Sequence, residues 1–162
     1  MQTQLVRYTE YNIWANRHHT DIISTLTEEQ IDKVQVSSFP SIRKTLYHIW
    51  DAQGIWTIRL KGETVLDWPS KNFKGTTKEA IENFLNSSRE FATLVKGFDE
   101  GIFHNSIQYK KMEGKEFINS MADIVMHVMN HSTFHRGQLI SMFREVGITK
   151  IPSTDFIAYC RL

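Results

Sequence analysis

The stretch MHVMNHSTFHRGQLI, Met126 to Ile140, carries three of the chain's seven histidines at intervals of four, at His127, His131 and His135. Around them Ile124, Val128, His131, His135, Gln138 and Met142 step by three and four, the repeat of a helix face turned to a core. Four residues advance an α-helix by ~6 Å and turn it ~40° past a full circle, so imidazoles at i and i+4 can converge on one point. The stripe thus predicts a long helix that packs on other helices and sets polar rings where core residues belong. Two neutral imidazoles buried side by side need partners. A divalent ion would satisfy both at once, and so would a polar seam in which each ring hydrogen-bonds a neighbour; spacing leaves the two readings open.

Working outward, Ser120 to Asp123 can cap this helix and Gly147 can end it after Val146. A first helix is predicted from Gln4 to Leu26, on the stripe Leu5, Tyr8, Ala15, Ile22 and Leu26, widened by Tyr11, Trp14 and Ile23. A second runs through Ile42, Leu46, Ile49, Gln53, Trp56 and Leu60, opened by Pro40 or Ser41 and closed at Gly62. A third follows the T-x-x-E capping box at Thr76 to Glu79 and traces Ile81, Phe84, Leu85, Ser88, Phe91, Ala92, Val95 and Phe98. Four long amphipathic helices predict an all-α fold, a four-helix bundle.

The intervening segments read differently. Glu28 to Pro40 loses the helical period and is expected to be a connector. Gly62 to Gly75 is expected to be a long surface loop, of a length suited to a lid. From Phe103 to Phe117, Ile107 and Tyr109 alternate with polar residues and MEGKEF puts Gly114 at a reversal, so a short hairpin is expected before the last helix. The tail IPSTDFIAY, Ile151 to Tyr159, is expected to pack back over the bundle. His18 and His19, adjacent and ~100° apart on a helix, are expected to be a solvated pair.

Composition narrows the class. A chain of 162 residues is expected to form a single domain, 1–162. Nineteen Lys and Arg stand against 18 Asp and Glu, a net charge of +1, which gives no general electrostatic case for nucleic acid or an acidic membrane surface. The single cysteine, Cys160, can make no intrachain disulfide and suits a reducing compartment. No apolar run reaches the ~18 residues of a membrane span, and Met1 to Leu26 lacks the pattern of a leader peptide. A soluble, cytoplasmic protein is expected, with no nucleic-acid or membrane partner.

His48, alone on the second helix, reads by itself as a hydrogen-bonded core or boundary residue. Taken together, YNIWAN at Tyr11 to Asn16, SIRKTLYHIWDAQGIW at Ser41 to Trp56, HVMNHSTFHRGQL at His127 to Leu139 and PSTDFIAY at Pro152 to Tyr159 resemble the successive signatures of the DinB family. The N-H-x-x-x-H-R-G-Q run at Asn130 to Gln138 is the most specific of them. The resemblance implies a four-helix bundle of the DinB/YfiT type that holds a divalent metal through His48, His131 and His135, with His127 as a neighbouring alternate ligand. Asp51 and Gln138 lie one turn after His48 and His135, where either could fix an imidazole tautomer; Asp51 reads equally well as an exposed charge. Arg136 and Gly137 read as structural, and Trp50 and Trp56 as core, with a pocket lining as the alternative.

What the resemblance implies about activity is a metal-dependent transferase using a low-molecular-weight thiol, of the bacillithiol or mycothiol kind, on a small electrophile. A zinc-type ion on neutral imidazoles would lower the pKa of a bound thiol, so no Ser or Cys nucleophile is required. Two alternatives stand beside it: a metal-dependent hydrolase of a small substrate, and a non-catalytic metal-binding stress protein acting as a homodimer through the aromatic first helix and the tail. Zinc comes first among the ions, although three imidazoles with an open position also suit nickel, iron and copper.

Overall fold

The computed structural model describes residues 1–111 and 113–162. Four long helices dominate it: α1 (Gln2–Ile23), α3 (Ile42–Leu60), α4 (Thr77–Lys96) and α5 (Met121–Glu145). The short helices α2 (Glu28–Asp32) and α6 (Phe156–Tyr159), a 3₁₀ turn (Glu100–His104) and strands β1 (Ser106–Lys110) and β2 (Glu116–Ser120) complete the described residues. Each long helix packs against two others in the closed order α1, α4, α3, α5, so the protein is a four-helix bundle. Helices α1 and α3 are therefore diagonal neighbours, as are α4 and α5. That is why both connections between them are long: one carries α2, the other the 3₁₀ turn and the hairpin.

Local chemistry sets the helix ends. Thr76 Oγ1 accepts a hydrogen bond from Glu79 N while the Glu79 carboxylate accepts one from Thr76 N, closing the capping box that starts α4. Ser41 caps α3 through Lys44 N at 3.2 Å, and Ser120 caps α5 through Asp123 N at 3.1 Å. The segment expected to be a plain connector holds the one-turn helix α2, because Thr27 and Gln30 form a second capping box that the helical period alone does not reveal. The hairpin pairs Ser106 with Ser120 through Lys110 with Glu116, and Gly114 takes φ +87° at its reversal. Met112, the first residue of the MEGKEF reversal, lies outside the described residues.

Two apolar clusters fill the bundle. One gathers Ile23, Leu46, Ile49, Trp50, Phe84, Leu139 and Phe143; the other gathers Leu5, Leu60, Phe91, Val95, Phe103, Ile124 and Val128. A buried polar layer spans all four long helices. Asn12 donates to Gln53 Oε1 at 2.9 Å, Asn16 to Ser88 Oγ at 3.0 Å, and Ser88 to Gln53 Oε1 at 3.0 Å. Arg136, 2% exposed, donates to the side-chain oxygens of Asn12 and Asn16 and to Thr133 Oγ1. Its charge faces the Tyr11 ring at 5.5 Å, and burial pushes its pKa down.

The tail packs back over α1 as expected: Tyr11 donates to the Thr154 carbonyl at 2.7 Å, and Phe156 and Tyr159 meet the Tyr11 ring edge-on at 5.1 and 5.8 Å. The loop after α3 is seated closely on that helix. A Cβ at Gly54 would lie 2.6 Å from Pro69 Cγ, so glycine is what lets the loop approach.

The expected solvated pair at His18 and His19 does not form. His19 is 2% exposed, because it follows Ala15 and Asn16 on the core face of α1, and its Nδ1–H donates to the Ala15 carbonyl at 2.9 Å. Burial first, then the Arg136 charge, takes its pKa down to about 4. A folded pKa below the unfolded ~6.5 means the unfolded chain takes the proton first, so this stabilisation is complete above pH ~6.5 and lost as pH falls towards 4. In metal-free protein the difference in unfolding free energy between parent and His19→Leu should change by up to about 3 kcal/mol across that window, read by urea titration at several pH values. Parallel stability curves would contradict it.

Candidate metal centre

Helix α3 delivers His48 and helix α5 delivers His131 and His135 to one place between them. His48 Nε2 and His131 Nε2 lie 2.8 Å apart, and ring centroids separate by 4.7 Å (His48–His131), 4.5 Å (His48–His135) and 4.4 Å (His131–His135). One nitrogen from each ring lies within 4.8 Å of the others, so the three could hold a divalent ion. Bonds of ~2.0–2.1 Å to a common tetrahedral ion set neighbouring nitrogens ~3.4 Å apart, a value inside the range present here.

The electrostatics fit the same use. Burial pushes the His48 pKa down to about 4, helped by the charge of His135. Burial and the three neighbouring histidines take His131 down to about 3, and burial lowers His135. All three rings are neutral near pH 7, the form that ligates metal. His135 Nδ1–H donates to Gln138 Oε1 at 2.7 Å, which fixes its tautomer and frees Nε2. Gln138 in turn donates to Ser38 Oγ at 2.8 Å. His131 Nδ1 is buried with no hydrogen-bond partner among the described residues. Its orientation therefore rests on packing and on whatever its other nitrogen meets.

The remaining expected residues fall elsewhere. His127 stands outside the trio, its ring 5.8 Å from His131 and edge-on to Trp56 at 5.4 Å. Asp51 points to the loop after α3, where both oxygens accept from Ser70, one from its N–H and one from its hydroxyl, each at 2.7 Å. It is therefore neither a partner of His48 nor an exposed charge; burial raises its pKa and it ties the loop to the helix. Trp50 belongs to the core, whereas Trp56 lines a cavity of about 450 Å³ that opens beside His48, His127 and His131. Phe39, in the turn before α3, stacks on His48 at 3.9 Å and meets His135 edge-on at 5.6 Å. Sequence reasoning passed over Phe39; its only local sign was an aromatic residue beside Pro40 just ahead of the helix that carries His48.

These features define a four-helix bundle with an inter-helix site of three neutral histidines able to hold a divalent cation. The sequence profile of the DinB family matches residues 1–162, and the chain belongs to that family. It is similar to the protein called Protein DinB of Bacillus subtilis (strain 168), with 27% identity over 157 residues that cover 93% of this chain and 90% of the relative. Its fold is similar to the crystal structure of a DinB-like protein from Bacillus cereus ATCC 10987, with a TM-score of 0.63 at 14% identity, covering 86% of this chain and 89% of that one. Among the described residues, no helix is long and apolar enough to cross a membrane.

Proposed function

We propose that His48, His131 and His135 ligate one divalent ion, zinc first among the candidates, and that the site serves transfer of a low-molecular-weight thiol to a small electrophile. The observation that carries this reading is a cluster of three neutral imidazoles, with no carboxylate among its ligands, beside an open cavity. When bound, a divalent ion on neutral ligands keeps its full charge and lowers the pKa of a thiol or water that joins it. The chain's own residues do the rest. Gln138 holds the His135 tautomer, Phe39 covers the His48 ring, and Asp51 with Ser70 fixes the loop that brings Trp68 to the cavity. Ile55 and Trp56 give that cavity an apolar wall on which the body of a small substrate can lie.

Hydrolysis is favoured less by the carboxylates present. Both oxygens of Asp51 are taken by Ser70, and Glu113 at the cavity rim is 70% exposed with Lys111 at 3.8 Å. Neither is positioned as a general base next to the histidines. Zinc-loaded protein is expected to accelerate conjugation of monochlorobimane with at least one member of a thiol panel that includes bacillithiol, and chelator is expected to abolish the acceleration. Ester or amide turnover without conjugation would replace this reading with the hydrolytic one.

A further inference from the structure

Arg59 has no part in the site as described, yet the fold holds it with care. Its guanidinium lies against the rings of Trp56 at 4.6 Å and Tyr109 at 4.8 Å, which meet each other edge-on at 5.0 Å. One Nη donates to the Lys110 carbonyl at 3.3 Å, and Nε is buried without a partner. Among the described residues no carboxylate lies within ion-pair distance of it. A partly desolvated cation without a counter-charge is costly, which is the condition for a binding group whose partner is a ligand. Burial accordingly lowers its pKa.

Its position gives the ligand's shape. Arg59 follows His48 along α3 by ~16 Å of helix rise. The cavity of about 450 Å³ beside His48 and His131 runs to Arg59, and a second cavity of about 510 Å³ beneath the hairpin shares Arg59, Val65 and Lys111 with it. Between the three clustered histidines and the guanidinium the wall is mainly apolar, formed by Ile55, Trp56 and Trp68, with the His127 ring edge-on to Trp56 as its polar member. Among the described residues lining this end, Lys110 has Glu116 at 2.8 Å and Lys111 has Glu113 at 3.8 Å, whereas Arg59 has no carboxylate partner, so a single negative charge is the complement.

We propose that Arg59 anchors the carboxylate end of an elongated ligand whose other end reaches His48, His131 and His135, with an apolar middle lying along Ile55, Trp56 and Trp68. A planar carboxylate matches the guanidinium fork and displaces no existing ion pair. The thiol head rests on the function proposed above; the anionic end does not.

Calorimetry of zinc-loaded protein with three probes separates the two. Mercaptooctanoate, with its thiol and carboxylate at opposite ends, is expected to bind about tenfold more tightly than mercaptooctanol, the margin of a charge-assisted hydrogen bond. Arg59→Met should erase that margin while leaving mercaptooctanol affinity as it was. Arg59→Lys, which keeps the charge without the fork, should retain part of it. Octanoate, lacking the thiol, should bind weakly and lose that binding in Arg59→Met. Equal affinity for acid and alcohol in the parent, or a margin that survives Arg59→Met, overturns the proposal. Arg59-dependent octanoate binding with no gain from the thiol would uphold the anchor and remove the thiol reading instead.

Discussion

Alanine at His131 is expected to lower zinc affinity by at least ~100-fold, because even hydrogen-bonding partners of metal ligands cost ~10–100-fold when removed. His48→Ala and His135→Ala should fall in the same range, since each ring supplies one of the three converging nitrogens. Gln138→Leu should fall in the lower range, because His135 then loses the acceptor at 2.7 Å that fixes its tautomer. His127→Ala should stay close to the parent, because its ring lies outside the trio and leans on Trp56. Competition of each variant against a chromophoric chelator reads these affinities. A loss at His127 equal to that at His131 would mean that α5 ligates through a different pair.

The second large effect concerns stability. Arg136→Met is expected to destabilise the metal-free protein by about 3 kcal/mol, since unsatisfied buried acceptors cost ~1–3 kcal/mol each and both Asn12 and Asn16 lose their donor. An opposing effect must be weighed. Burying a charge is itself costly, and replacing a complete ionic cluster with apolar residues is often neutral. Here only the arginine is removed while its neutral partners stay, so the unsatisfied oxygens decide the sign. Arg136→Lys should not restore stability, because one ammonium cannot reproduce the fork that reaches Asn12, Asn16 and Thr133 together. Urea denaturation of the three proteins measures this, and a Met variant within 0.5 kcal/mol of the parent would show that the polar layer relaxes or hydrates at little cost, in the range of an ordinary surface change.

Elements with local signals were readable from sequence. The Thr76–Glu79 capping box and the Ser120 cap stand where short-range hydrogen bonding put them, and the alternation at Ile107 and Tyr109 became a two-stranded ladder. His131 and His135 were visible because one helix turn brings i and i+4 together. His48 was not, since nothing local separates a ligand from an ordinary boundary histidine; only the family resemblance joined it to α5. The polar layer left a trace that passed unread: Gln53 and Ser88 occupy positions in otherwise apolar stripes, where a buried polar side chain requires a partner from another helix. Asp51 has a partner that local spacing does not show, for a related reason. Helical spacing set it one turn from His48 but could not show that Ser70, nineteen residues on in a loop, would take both of its oxygens.

The metal content of tag-free protein, reconstituted with zinc and dialysed to equilibrium, tests the central claim most directly. The geometry of His48, His131 and His135 predicts one ion per chain in the parent and none in the variant with alanine at all three positions. A parent that retains far less than one ion per chain, or a triple variant that retains as much as the parent, would contradict it.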